Sequence, residues 1–244
     1  MLPETVPLFR EDAYQRQCEA TVLAADERGI LLDRTVFYPS SGGQPGDTGQ
    51  LLLNGSAFPI GATVHGASKT EILHVPLIGE RLPGAATTLT AEIDWDRRHR
   101  HMRMHTALHL LCSLIPFPVT GGSIGADESR LDFDISDSGA VDKDDLTERL
   151  AALVEADHPV TTRWISDAEL ADNPGLVRTM SVKPPSGTGR VRLVSIGSDG
   201  EVDLQPCGGT HVRSTGEVGR VAVTKIEKKG RQNRRIRLAF GDER

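Results

Sequence analysis

Two short motifs that lie far apart in the sequence contain the residue types that bind zinc. His105-Thr-Ala-Leu-His109 separates two imidazoles by about one helical turn, so in a helix both rings lie on the same face. Cys207-Gly-Gly-Thr-His211 places a thiolate and an imidazole at the ends of a loop whose glycines allow a tight turn around an ion. Imidazole nitrogens and a thiolate sulfur suit tetrahedral zinc. We therefore predict one zinc ion per chain, bound by two helical histidines, Cys207 and His211.

A third histidine, His101, competes for the helical half of this site. It precedes His105 by the same spacing as His105 precedes His109. His101 and His109 are separated by about 12 Å of helix rise, too far for both to reach one ion at bond lengths near 2 Å. The spacing alone therefore leaves two pairs open, His101 with His105 and His105 with His109.

The predicted ligand set has a consequence for catalysis. Four protein ligands close a tetrahedral site, which is typical of structural zinc, whereas catalytic zinc keeps one position open. An enzyme with this set needs one ligand that yields, and His211 or Cys207 is the natural candidate. Thr106 stands where zinc peptidases of the His-Glu-x-x-His type have their general base, which argues against that class. Thr106 and Thr210 adjoin ligands and are candidate catalytic side chains.

The two motifs need a helix and several strands to position them. Asp94 can cap a helix over about 95–114 that ends before Pro116, and a second helix is predicted over 142–156. Ser166-Asp-Ala-Glu169 is a capping box for a short third helix. Strands are predicted near 131–135, 160–165, 190–196 and 220–226. This mixture after residue 94 indicates an α+β domain of two layers.

The first ninety or so residues have the pattern of β structure. Short aliphatic runs alternate with turn signals, and Asn54-Gly55 predicts a tight hairpin. This pattern is typical of a small barrel or meander. Within it, Tyr38-Pro-Ser-Ser-Gly-Gly-Gln-Pro-Gly-Asp-Thr-Gly49 forms a loop whose glycines permit close approach of its backbone to another group.

The charge distribution is uneven along an acidic chain. The net charge of −6 argues against general attraction to nucleic acid, but residues 220–237 contain eight Lys or Arg against the single acid Glu227. There is no basic start followed by an apolar run, and no apolar stretch of the roughly 18 to 20 residues that span a bilayer. Three cysteines cannot all pair, which favours a reducing compartment. We expect a cytoplasmic protein with no membrane partner.

Several motifs together resemble one protein family. Beside the two metal motifs stand Phe37 to Gly49, Arg130-Leu-Asp-Phe133, Ser214 to Gly219 and Gly230 to Ile236, in one order along the chain. This combination resembles the editing domain of alanyl-tRNA synthetase and its freestanding relatives, the AlaX alanyl-tRNA editing proteins. The resemblance spans residues 37 to 237, and the glycine-rich motif is similar to that of the longer freestanding form.

The resemblance implies a fold, a ligand set and an activity. The fold is α+β, with an N-terminal β-barrel domain over 1–94 that carries the glycine-rich loop, and a two-layer editing domain over 95–244 that carries zinc. The ligands are His105, His109, Cys207 and His211, which selects His109 over His101. Gln44, on the loop that the resemblance places beside the pocket, becomes a third candidate catalytic residue.

The implied activity is a zinc-dependent, ATP-independent hydrolysis that removes serine, and sometimes glycine, from tRNA(Ala). The length leaves no room for an aminoacylation domain, so the resemblance implies a trans-acting editor. Two alternatives stay open, a tRNA-binding module with a purely structural zinc and a deacylase for a different mischarged tRNA. The candidate phosphate contacts are basic residues of the zinc helix and of the C-terminal segment: Arg97, Arg98, Arg100, Arg103, Lys228, Lys229, Arg231, Arg234 and Arg235.

Overall fold

The computed structural model describes residues 4–77, 83–135, 141–178 and 189–241. The chain forms two compact units, Met1–His99 and Arg100–Arg244. Helix α1 (Trp95–Leu114) begins in the first unit and ends in the second. The strands before it are β1 (Val6–Pro7), β2 (Gln17–Asp26), β3 (Gly29–Leu32), β4 (Arg34–Thr35), β5 (Gly49–Leu53), β6 (Ser56–His65), β7 (Ile72–Pro76) and β8 (Thr88–Ile93). After it come β9 (Val119–Ser123), β10 (Glu128–Asp134), α2 (Lys143–Glu155), β11 (Val160–Ser166), α3 (Asp167–Asp172), β12 (Arg190–Ile196), β13 (Asp203–Pro206), β14 (Val221–Lys228) and β15 (Asn233–Phe240).

The first unit is built around a closed six-stranded barrel, which confirms the predicted barrel. Its strands follow the order β2-β3-β7-β6-β5-β8, and β1 and β4 form a separate parallel pair. Alternate residues of β2 point inward because successive side chains of a strand face opposite sides. Cys18, Ala20 and Val22 accordingly lie in the buried core, together with Leu51 and Phe37. The predicted hairpin joins β5 to β6 at Asn54-Gly55, and both residues have the positive φ angles that this turn requires.

The glycine-rich segment 38–49 is fixed to the barrel of its own unit. A Cβ added at Gly46 would lie 2.0 Å from the carbonyl oxygen of Thr63 on β6, so only glycine allows this approach. The carboxylate of Asp47 accepts a hydrogen bond of 2.6 Å from the amide of Tyr38 and pairs with the guanidinium of Arg98. The sequence predicted a close approach of the loop backbone to another group, and at Gly46 that group is the barrel itself.

The second unit combines helices with two antiparallel sheets, as expected for an α+β fold. One sheet has the order β14-β15-β10-β9, and the other has the order β11-β12-β13. Helix α2 packs on β14 and buries Leu146 and Leu150. Ser166 forms the predicted capping box of α3, which is confirmed. Asp142, the first residue of the predicted second helix, caps α2, because its side chain accepts from two backbone amides of that helix. No helix within the described part of the chain has the length and apolar character needed to cross a membrane.

Candidate metal centre

Helix α1 brings two of the predicted ligands onto one face. Its N-terminus is capped by Asp94, whose carboxylate accepts a hydrogen bond of 3.1 Å from the amide of Arg97. His105 and His109 follow one turn apart, with ring centroids separated by 5.3 Å. Both are largely buried, at 8% and 6% exposure. Their rings are therefore held away from solvent on a regular helix.

The second motif meets these two rings in space. One ligand atom from each of His105, His109, Cys207 and His211 lies within 4.8 Å of all the others, and this is the group among the described residues that could hold a metal ion. The sulfur of Cys207 lies 3.5 Å from Nε2 of His105 and 3.3 Å from Nε2 of His211. His101 is buried but does not belong to this group.

These separations fit a tetrahedral ion. Bond lengths of about 2.3 Å to sulfur and about 2.0 to 2.1 Å to nitrogen place a tetrahedral sulfur–nitrogen pair about 3.5 Å apart. The two observed sulfur–nitrogen distances of 3.5 and 3.3 Å are close to this value. Three imidazoles and one thiol within this radius form a donor set suited to zinc.

The electrostatics of the cluster favour the forms of Cys207 and His211 that bind metals. Burial opposes the thiolate of Cys207, but the imidazoles of His105 and His211 hold its pKa well below the usual value. Burial also lowers the pKa of His211 well below its usual value and so keeps that ring neutral. A thiolate and a neutral imidazole are the ligand forms of these side chains.

His109 has an anionic partner that the sequence did not indicate. Its Nδ1 lies 2.7 Å from Oδ2 of Asp203, and Nε2 of Gln205 donates to the same oxygen at 2.8 Å. Burial works against the charged ring, but the Asp203 hydrogen bond together with Cys207 raises the pKa of His109 to about 10. Asp203 and Gln205 alternate with Leu204 on β13, and Cys207 continues the same alternation. This alternation is the signal by which the sequence could have revealed them.

Thr106 contacts a ligand, as its position beside His105 suggested. Its Oγ1 lies 3.1 Å from Nδ1 of His211 and 3.4 Å from the amide nitrogen of Val212. A hydroxyl oxygen has two lone pairs and can accept from both groups. Thr106 is fully buried. The observed contacts are those of a residue that orients a ligand, and a contact with substrate stays a prediction.

The loop that carries Cys207 and His211 is supported by a buried arginine that the sequence reading missed. Nη1 of Arg192 on β12 donates to the carbonyl oxygens of Cys207, at 3.0 Å, and of Gly209, at 2.9 Å. The amide of Cys207 in turn donates to the carbonyl of Arg192 at 3.1 Å. These bonds join the ligand loop to the sheet through its backbone.

The remaining candidate catalytic residues have different environments. Thr210 is fully buried within the ligand loop. Gln44 belongs to the first unit, where its backbone exchanges two hydrogen bonds with that of Ser41 and only 1% of the residue is exposed. A catalytic role for Thr210 or Gln44 stays a prediction.

Two of the predicted phosphate contacts are buried and have structural partners. Arg98 is completely buried and its guanidinium pairs with Asp47, so the structure gives it a role within the first unit instead. Arg234 is only 4% exposed and donates to the carbonyl of Asn233. A buried guanidinium cannot reach a phosphate without opening the fold, and we therefore leave Arg98 and Arg234 out of the proposed contact set.

The other basic residues differ in their exposure and in the contacts that they make within the protein. Lys228, Lys229 and Arg231 are exposed at the hairpin between β14 and β15. Arg235 makes two bonds of 2.8 and 2.9 Å to the carboxylate of Asp132. Arg103 stacks over the ring of Phe240, with 4.2 Å from its guanidinium carbon to the ring centroid. Nη1 of Arg97 donates to the carbonyl of Gly46, and Nε of Arg100 donates to that of Ala126.

Comparison with known proteins gives two matching families and several relatives that align with nearly the whole of this chain. The family "tRNA synthetases class II (A)" matches residues 8–97, and "Threonyl and Alanyl tRNA synthetase second additional domain" matches residues 191–237. Alanyl-tRNA editing protein AlaX-M of Methanosarcina acetivorans is 35% identical over 98% of this chain and 100% of the relative. The AlaX-M protein of Methanosarcina barkeri is 34% identical with the same coverage. Alanine–tRNA ligase of Pyrococcus abyssi is 36% identical over 99% of this chain but only 26% of the ligase. The chain therefore belongs to the AlaX-M family of alanyl-tRNA editing proteins.

Proposed function

We propose that this chain is a trans-acting editing hydrolase that removes serine, and also glycine, from mischarged tRNA(Ala) at a zinc site. The observation that carries the proposal is the cluster of His105, His109, Cys207 and His211, whose ligand atoms lie within 4.8 Å of one another. The cluster stands in a chain that aligns with the whole of an alanyl-tRNA editing protein and with about a quarter of an alanine–tRNA ligase. Action in trans agrees with that coverage.

The proposed reaction is hydrolysis of an ester. Water adds to the carbonyl carbon that joins the amino acid to the ribose of the terminal adenosine, and the ribose hydroxyl leaves with a proton. A zinc ion bound here would lower the pKa of a water molecule or polarise the ester carbonyl. The four side chains would hold the ion, while Thr106 orients His211 and Arg192 supports the ligand loop.

We include the accessible basic residues as contacts with the tRNA backbone. Lys228, Lys229 and Arg231 are exposed on one hairpin, where a phosphate can reach them. Arg97, Arg103 and Arg235 have partners inside the protein but retain partial exposure, and they complete the proposed set. Such contacts position the substrate through its phosphates and carry no sequence information.

A second candidate is a tRNA-binding module whose metal ion is purely structural. The observation that favours it is the number of protein ligands, because four ligands close a tetrahedral site. Removing the metal separates the two. A catalytic ion leaves a folded but inactive protein when it is chelated, whereas a structural ion leaves an unfolded one, as circular dichroism would record.

The decisive experiment is a deacylation assay with three substrates, Ser-tRNA(Ala), Gly-tRNA(Ala) and Ala-tRNA(Ala). We expect rapid release of serine and glycine, an intact Ala-tRNA(Ala), and loss of activity in His105→Ala. The matched control is His158→Ala, since that histidine lies outside the metal group. Equal hydrolysis of Ala-tRNA(Ala) would contradict editing. Hydrolysis confined to a panel of other mischarged tRNAs would instead support a deacylase of different specificity.

A further inference from the structure

The buried pair Asp203 and Gln205 lies behind the metal group and has no part in the activity described so far. We propose that Asp203, supported by Gln205, is a positioning residue that fixes the ring of His109 so that its Nε2 faces the metal ion. The inference rests on the proposed metal site, but it does not depend on which aminoacyl-tRNA is hydrolysed.

The direction of one hydrogen bond determines which nitrogen of His109 carries a proton. Nδ1 of His109 and Oδ2 of Asp203 are 2.7 Å apart, and their side chains are only 7% and 2% exposed. An ionised carboxylate can only accept, so Nδ1 must carry the proton of this bond. With Nδ1 protonated, Nε2 is the ring nitrogen whose lone pair can bind a metal, once any proton on it has been released.

The carboxylate that accepts this bond is itself held in place. Nε2 of Gln205 donates to the same carboxylate oxygen at 2.8 Å. Both residues belong to β13, where Asp203 pairs with Ile196 and Gln205 pairs with Val194 of β12. The register of β13 against β12 therefore fixes the position of the Asp203 carboxylate along the strand. Cys207 lies two residues after Gln205 in the same direction. One short segment therefore supplies the proposed ligand Cys207 and also the residues that support the proposed ligand His109.

His211 differs from His109, because its Nδ1 has a different partner. That partner is the neutral hydroxyl of Thr106, at the longer distance of 3.1 Å. Hydrogen bonds to a charged acceptor are shorter and roughly twice as strong as those between neutral groups. Loss of such an outer partner typically costs about 10- to 100-fold in metal affinity. We therefore expect a larger effect at Asp203 than at Thr106.

The test measures zinc affinity by competition with a chromophoric chelator, and records the visible spectrum of the cobalt-substituted protein. Asp203→Asn retains an acceptor oxygen and the side-chain shape but removes the charge. We expect about 10- to 100-fold weaker zinc binding and a shifted cobalt absorption. Thr106→Val should lose less affinity. The matched control is Asp199→Asn, an exposed aspartate in the turn between β12 and β13, which should bind zinc as the wild type does.

A purely structural role for Asp203 would show as a lower melting temperature of the metal-free protein, with an unchanged cobalt spectrum. If Asp203→Asn does not fold, Gln205→Met provides the second variant, because it leaves the carboxylate in place and removes its support. Zinc affinity within twofold of the control in the folded variant overturns the inference. A wild type that binds no zinc overturns the metal site as well. If zinc affinity depends on Asp203 as expected but the protein deacylates no tRNA, this inference is supported and only the proposed hydrolase is contradicted.

Discussion

The buried ion pair between Arg98 and Asp47 holds the glycine-rich segment on the first unit, and Arg98→Met tests it. The two side chains are 0% and 1% exposed. The guanidinium also donates to the carbonyl oxygens of Val36, at 2.6 Å, and of Ala13, at 2.9 Å. Methionine has a similar length and fills the space but donates nothing. The substitution therefore leaves a carboxylate and two carbonyl groups without these donors.

The expected cost follows from these contacts. Removing one partner of a buried ion pair destabilises a protein by about 3 to 5 kcal/mol, because the remaining charge stays in a poorly solvated place. Each carbonyl that loses its donor adds up to about 1 to 3 kcal/mol, less where water can enter. We expect the free energy of unfolding of the first unit to fall by at least about 3 kcal/mol, a large part of the 5 to 15 kcal/mol that is typical of a domain.

The two tryptophans of the chain allow each unit to be followed separately. Trp95 packs against the barrel core of the first unit, whereas Trp164 lies on β11 in the second. In a Trp164→Phe background, urea unfolding monitored by fluorescence reports on the first unit alone. The double variant Arg98→Met/Asp47→Asn should cost less than the sum of the single variants, because it removes both charges.

A loss below about 1 kcal/mol in Arg98→Met would refute this reasoning, since losses of that size are typical of exposed ion pairs. Strict additivity of the two substitutions would refute it as well. In that case Arg98 would again be available as a phosphate contact, as the sequence suggested. The same variants would then weaken tRNA binding instead of folding.

Two further predictions concern a buried histidine and the basic hairpin. Burial lowers the pKa of His74 to about 4, so the stability that its neutral ring contributes is complete above pH 6.5 and is lost as the pH falls towards 4. Relative to His74→Gln, the free energy of unfolding of the wild type should fall by roughly 3 kcal/mol over that range. Urea titrations at several pH values measure this difference. An equal pH dependence of both proteins would contradict a neutral ring. For tRNA(Ala) binding by fluorescence anisotropy, Lys228→Ala and Arg231→Ala should each reduce the slope of log affinity against log salt by about 0.7 to 0.9, while the exposed control Lys143→Ala leaves it unchanged. Unaltered slopes in the first two variants would remove this hairpin from the interface.

The elements that sequence reasoning predicted are those with strong local signals. Asp94 caps α1 as predicted, Asp142 stands at the predicted start of the second helix, and the bounds of α1 agree with the prediction. Three strands, β9, β13 and β15, were missed for recognisable reasons. The first contains two adjacent glycines, and the second has only four residues and ends in proline. The third alternates arginine with aliphatic residues, and its arginines were interpreted as phosphate contacts. Their pairing depends on partners distant in sequence, which a local pattern does not contain.

The same distinction applies to the metal centre. The ligand types and their spacing indicated His105, Cys207 and His211, whereas the choice of His109 over His101 came from the family resemblance; the structure brings these four residues together. The partner of His109 was not predicted, because Asp203 is separated from it by 94 positions and meets it only through the sheet. Arg98 was misplaced for the opposite reason, since its charge is visible in the sequence and its burial is not. Cross-strand pairs such as Arg235 with Asp132 also depend on a register that only the fold determines.

The four proposed ligands are unequal in their support, and this bears on how a closed site can act on a substrate. Any group that reaches the ion must displace one of them or expand the coordination shell. His109 is held by a buried carboxylate, which opposes its displacement. His211 is held by a neutral hydroxyl, and Cys207 is the only one of the four that is more than marginally exposed. Cys207 and His211, at the two ends of their loop, are therefore the first candidates for a ligand that is displaced by the substrate. Either one can be substituted, and substrate binding measured, without a change in helix α1.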